Sequence, residues 1–138
     1  MPLFSPNKAS RVKSFILKLV NNNCPELQAL RPGRRLDSRV NLVVVVVVVP
    51  LENGRIKLQE AFTAITKEFS NTGVALVMDR TFSISRAIIG FRFEDEMTYL
   101  LGEVRHFSPL GGGFFQLGFR LLEVVAPADY PGLEELRL

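Results

Sequence analysis

Residues 40–54 read VNLVVVVVVVPLENG, and this stretch decides the fold. Its seven consecutive valines, 43–49, are β-branched. Branching restricts χ1 and suits a pleated surface, so the run predicts a strand. The apolar run 42–49 is eight residues long, far short of the ~20 that a membrane-spanning helix needs. Asn53-Gly54 follows at once, the dipeptide favoured where a two-residue hairpin turn needs positive φ. Side chains alternate across a strand. With polar Asn41 facing out, Val40, Leu42, Val44, Val46 and Val48 face in, and Val43, Val45, Val47 and Val49 face out. A fully buried valine is worth roughly 1.5 kcal/mol or more, and a row of exposed ones invites aggregation. The outer set therefore requires a cover.

Working outward, residues 8–22 predict an amphipathic helix, with Val12, Phe15, Ile16, Leu19 and Val20 at helical spacing. Ser5-Pro6-Asn7 supplies its start, and Asn21-Asn22-Asn23 with Pro25 its end. This apolar stripe is the nearest candidate to cover the outer face of the valine strand. Residues 24–39 read as a loop with a short helical turn at 26–30. Cys24, the single cysteine, precedes Pro25 and reads as an inert thiol. Further strands are predicted at 55–66, 73–78, 86–93, 98–107 and 114–125. The turns between them include Glu94-Asp95-Glu96 and Gly111-Gly112-Gly113. Pro127 ends the last strand, and 129–138 predicts a short C-terminal helix. Six strands without βαβ alternation indicate a mainly β barrel or sandwich. The division is a helical extension, 1–30, and a β domain, 31–138.

The net charge of +3 conceals an asymmetry. Residues 1–40 carry eight Lys/Arg against Glu26 and Asp37, and the remainder is net acidic. A localised anion site fits this better than a nucleic-acid-coating surface. Met1 to Pro6 hold two prolines and no basic segment leading into an apolar run, so neither targeting nor a transmembrane segment is expected and the location reads as cytoplasmic.

Enzyme chemistry finds little support. His106 is the single histidine, and no Cys/His cluster, Gly-x-Ser-x-Gly elbow, P-loop or dinucleotide fingerprint occurs. Gly111-Gly112-Gly113 has no Lys-Ser/Thr after it, and Glu94-Asp95-Glu96 reads as a solvated hairpin tip. No catalytic residue, metal or cofactor is expected.

Arg34-Arg35-Leu36-Asp37-Ser38-Arg39 places three arginines in six residues. Guanidinium forks bind phosphate and the O6/N7 edge of guanine. Alone, the cluster reads equally well as a solvated basic linker. Further on, Glu68-Phe69-Ser70-Asn71-Thr72-Gly73 sets a carboxylate, a hydroxyl and a glycine before a strand. A carboxylate can accept from guanine N1–H and N2–H, Ser70 can donate or accept, and Gly73 allows close backbone approach or positive φ.

Together these segments resemble the PilZ family of cyclic di-GMP receptors, over about residues 31–126. The family carries Arg-Arg-x-x-x-Arg and then Asp/Asn-x-Ser-x-x-Gly. Arg34, Arg35 and Arg39 match the first motif, and Ser70 and Gly73 the second. Glu68 stands where Asp or Asn is expected, keeping the charge and adding a methylene. Gly102 to His106 and Phe115 to Leu122 also look like the family's last two strands. The resemblance implies a six-stranded antiparallel β-barrel with a C-terminal helix. It implies that Arg34, Arg35 and Arg39 grip phosphates and guanine while Glu68, Ser70 and Gly73 shape a guanine pocket. Arg105 and His106, on a neighbouring strand, are additional candidate contacts. The expected function is a cyclic di-GMP sensor that signals through an unidentified protein partner, self-association included. The competing expectation is a PilZ-like adaptor without ligand, acting by protein contacts alone. An oligonucleotide-binding barrel would want aromatics alternating with basic residues along its strands, and the acidic body opposes it.

Overall fold

The computed structural model describes residues 7–23 and 40–136, with side chains over 8–20 and 40–136. The expectations for Ser5, Pro6, Cys24, the turn at 26–30, Arg34, Arg35, Arg39 and 137–138 lie outside the described residues.

Helix α1 spans Asn7–Asn23. Eight strands follow: β1 (Val40–Asn41), β2 (Val45–Glu52), β3 (Arg55–Ile56), β4 (Phe62–Phe69), β5 (Gly73–Met78), β6 (Arg86–Phe93), β7 (Glu96–Gly111) and β8 (Phe114–Val125). They form one antiparallel sheet in the order β1-β4-β5-β8-β7-β6-β2-β3, and β2 also pairs with β4. The sheet thus returns on itself as a ring of strands. Among the described residues no helix is long and apolar enough to cross a membrane.

Where six strands are expected, the sheet has eight, because two predicted strands are interrupted. The segment expected at 40–51 divides into β1 and β2, with 42–44 outside regular pairing. Buried Thr66 on β4 explains the break. Its hydroxyl accepts the Val44 N–H at 2.8 Å and donates to the Leu42 carbonyl at 2.6 Å. The segment expected at 55–66 divides into β3, a 3-10 turn at Leu58–Glu60 and β4. The Asn53-Gly54 turn forms as read, with φ of 55° and 77°. The strands at Gly73–Met78, Arg86–Phe93 and Phe114–Val125 have the expected bounds.

The parity reading of the valines holds, and the reading of their cover does not. Val12, Phe15, Ile16, Leu19 and Val20 of α1 join the cluster that contains Leu42, Val46 and Val48, the inward set. Phe15 meets Phe91 edge-on at 5.5 Å between ring centroids. Each such side chain contributes roughly 1.5–3 kcal/mol when fully buried, so α1 is part of the core. The outward Val47 and Val49 lie in a second cluster with Ile88, Tyr99, Leu101 and Leu133, against which Tyr130 and Leu136 pack. Val43 and Val45 are exposed. The physical reason is closure. A sheet that curls back through the β2–β4 pairing encloses its concave side, where the bulky stripe of α1 removes most apolar surface from water. The convex side is left to the chain returning after β8.

The C-terminal helix expected at 129–138 is corrected to two 3-10 turns, Pro127–Asp129 and Leu133–Glu135. Pro131 lacks the N–H for a helical ladder, and Gly132 takes φ 93°.

Candidate functional site

A β-bulge builds the site. Phe62, Ala64 and Thr66 of β4 are buried at every second position, and strict alternation would send residue 68 inward with them. The β4–β5 register shifts between Thr66 and Glu68. Lys67 is therefore exposed and Glu68 half-buried, two consecutive side chains off the core, before Phe69 returns to it. Re-aiming a side chain is what a bulge does.

From Glu68 a row of directly opposed residues crosses the sheet: Asn41 on β1, Glu68 on β4, Ala75 on β5, Gly118 on β8 and His106 on β7. Opposed residues share one face, here the convex one. Ala75 and Gly118 supply almost no side chain, so the middle of the row is a flat floor. Glu68 and His106 stand at its two sides, their backbone positions three strand spacings or about 14 Å apart. In the adjoining row Gly73 opposes Arg120, which in turn opposes Glu103.

The result is an open cleft of about 390 Å³ lined by Glu68, Ser70, Thr72, Gly73, Ala75, Arg105, His106, Gln116, Gly118 and Arg120 among others. All five expected site residues that lie within the described chain, Glu68, Ser70, Gly73, Arg105 and His106, line it together. Arg34, Arg35 and Arg39 lie outside the described residues. Val40, which follows Arg39 in sequence, pairs with Phe69, one residue from Glu68.

Local bonding shapes each wall. The Ser70 N–H donates to the Gly73 carbonyl at 3.0 Å, closing the β4–β5 turn. The Ser70 hydroxyl accepts from the Thr72 N–H at 3.4 Å. Of the two roles read for Gly73, close approach is the operative one: a Cβ there would stand 2.5 Å from the Phe119 carbonyl oxygen. Glu103 holds Arg86 and Arg105, each at 3.8 Å. Lys67 donates to Gln116 Oε1 at 3.1 Å at the cleft's edge. Arg105 and Arg120 place donors and Glu68 places an acceptor along the lining, so the cleft can meet a ligand that carries both acceptors and donors. Among the described residues no group of three or more His, Cys, Asp or Glu side chains is placed to hold a metal ion.

Arg120, Gln116 and Thr72 are lining residues the sequence reading did not single out. A signal for two of them existed. Leu117, Phe119 and Leu121 alternate into the core, which directs Gln116, Gly118 and Arg120 to the opposite face.

No family model and no curated protein matches the chain. Among solved structures, the chain is similar to the Bacillus subtilis inhibitor of motility (MotI/DgrA), with 18% sequence identity and a TM-score of 0.49. The match covers 77% of this chain and 50% of that one, so the chain spans about half the length of this neighbour.

Proposed function

We propose that this chain is a PilZ-like receptor for cyclic di-GMP, its ring of strands serving as the family's barrel. The observation that carries this reading is the cleft. The bulge at Lys67–Glu68 and the turn at Ser70–Gly73 set the second motif on one convex face, beside Arg105, His106 and a floor of small residues. The entry of the chain into β1 beside Glu68 supports a ligand-binding role for the arginines that precede it in sequence, Arg34, Arg35 and Arg39. Bound phosphates would take the arginines, and a guanine edge would take Glu68 and Ser70. Charge-assisted bonds of this kind contribute roughly 1.5–3 kcal/mol each. In this reading the protein turns nothing over. It acts in the cytoplasm by changing which protein surface it presents when the ligand binds.

Calorimetric titration of the full chain with cyclic di-GMP tests this. Micromolar or tighter binding is expected, on the order of −8 kcal/mol, with Arg35→Ala and Arg39→Ala each weakening it tenfold or more. Unchanged affinity in both variants would remove the arginines from the site. No heat at millimolar ligand would replace the receptor reading with that of an adaptor working through protein contacts alone.

A further inference from the structure

We propose that Arg120 is the guanine-selecting contact of the cleft, donating to the O6/N7 edge of a base whose N1–H and N2–H edge faces Glu68; this rests on the cyclic di-GMP reading above. Arg120 belongs to neither motif. It lies on β8, opposite Gly73 and two residues beyond Gly118. Glu68 lies in the row of Ala75 and Gly118. Two strand spacings and two residues of rise separate the Cα atoms of Glu68 and Arg120 by about 12 Å. The positions between them are Gly73, Ala75 and Gly118, which raise nothing larger than a methyl group over the floor. A purine lying on that floor has its two edges within reach of a glutamate from one side and an arginine from the other.

The two basic residues of the far wall differ in their commitments. Arg105 Nε is 3.8 Å from Glu103, which also holds Arg86. Arg120 opposes the same Glu103 across the β7–β8 ladder, yet makes no ion pair among the described residues. Its planar fork is available to a ligand, and it matches the paired acceptors O6 and N7 of guanine. The opposed carboxylate accepts where guanine donates. Adenine reverses both demands: its exocyclic amine would point a donor at a donor, and its N1 lone pair would meet a carboxylate. A carboxylate and a guanidinium on opposite sides of a flat floor therefore match guanine and not adenine.

The test compares cyclic di-GMP with its 7-deazaguanine analogue, which lacks N7, by calorimetry on the wild-type chain, Arg120→Ala and Arg120→Lys. The wild type is expected to bind the analogue at least tenfold more weakly. Arg120→Ala is expected to bind cyclic di-GMP at least tenfold more weakly than wild type and to treat the two ligands alike within twofold. Arg120→Lys retains charge but not the fork, so it too should lose the discrimination, and it carries the test should the alanine variant melt below assay temperature. Wild-type binding with undiminished affinity in both variants would overturn the proposal and leave the receptor reading intact. Weaker binding with discrimination preserved would move Arg120 to a phosphate and overturn it as well. No binding of either ligand by the wild type would remove the receptor reading and this inference with it.

Discussion

The Thr66 hydroxyl donates to the Leu42 carbonyl at 2.6 Å while accepting the Val44 N–H at 2.8 Å, from a side chain that is itself buried. One hydroxyl thereby satisfies a carbonyl and an N–H of the irregular link between β1 and β2, whose Val44 carbonyl accepts from the Thr66 N–H at 2.9 Å. It also holds the entry of the chain against β4, two residues from Glu68. Thr66→Val keeps the shape and leaves a buried donor and acceptor without partners. The expected loss is on the order of 1–3 kcal/mol, read as a lower urea midpoint at unchanged m-value. Thr66→Ser should recover most of it.

Gly73→Ala is expected to separate β5 from β8. The new Cβ would meet the Phe119 carbonyl oxygen at 2.5 Å, and that atom is backbone in a paired strand. Strain of this kind costs about 1–3 kcal/mol. Faster amide exchange along β5 and β8, with a lower melting temperature, would record it. Unchanged exchange would show that the strands absorb the methyl group.

Glu68→Gln retains size and one acceptor oxygen and removes the charge. If the carboxylate accepts from both guanine donors, cyclic di-GMP should bind about tenfold more weakly, since charge-assisted bonds are roughly twice as strong as neutral ones. The fold should persist, because the half-buried side chain lies off the core. Equal affinities in a calorimetric comparison would exclude Glu68 from the ligand's surroundings.

Tyr99 secures the C-terminal segment far from the cleft. Its buried hydroxyl lies 3.1 Å from the Leu133 carbonyl oxygen and 3.2 Å from that of Leu136, with one proton between them. Tyr99→Phe is expected to cost about 0.5–1.5 kcal/mol. The loss should be local: faster proteolysis after residue 130, with β7 amide protection unchanged.

The sequence by itself determined the strands at 73–78, 86–93 and 114–125, the turn at Asn53-Gly54, the amphipathic helix and the inward and outward sets of valines. All of these rest on local chemistry, either a side-chain period of two or 3.6 residues or a dipeptide suited to positive φ. It also carried Glu68, Ser70, Gly73, Arg105 and His106, which the fold brings to one cleft. Three matters were settled only by tertiary structure. The sequence reading ends this strand at 66, whereas β4 runs to Phe69, and the bulge that turns Glu68 outward exists only through its pairing with β5. The hydrophobic stripe of α1 shows that the helix needs a partner surface without showing which. The β2–β4 closure decided that, giving α1 the inward valines and leaving Val47 and Val49 to Leu133, Tyr130 and Leu136. Arg120 stands 47 residues from Gly73 in sequence and opposite it in the sheet. Local periodicity assigns a residue to a face; the neighbours it meets on that face are set by strand order and register, which depend on contacts between distant parts of the chain.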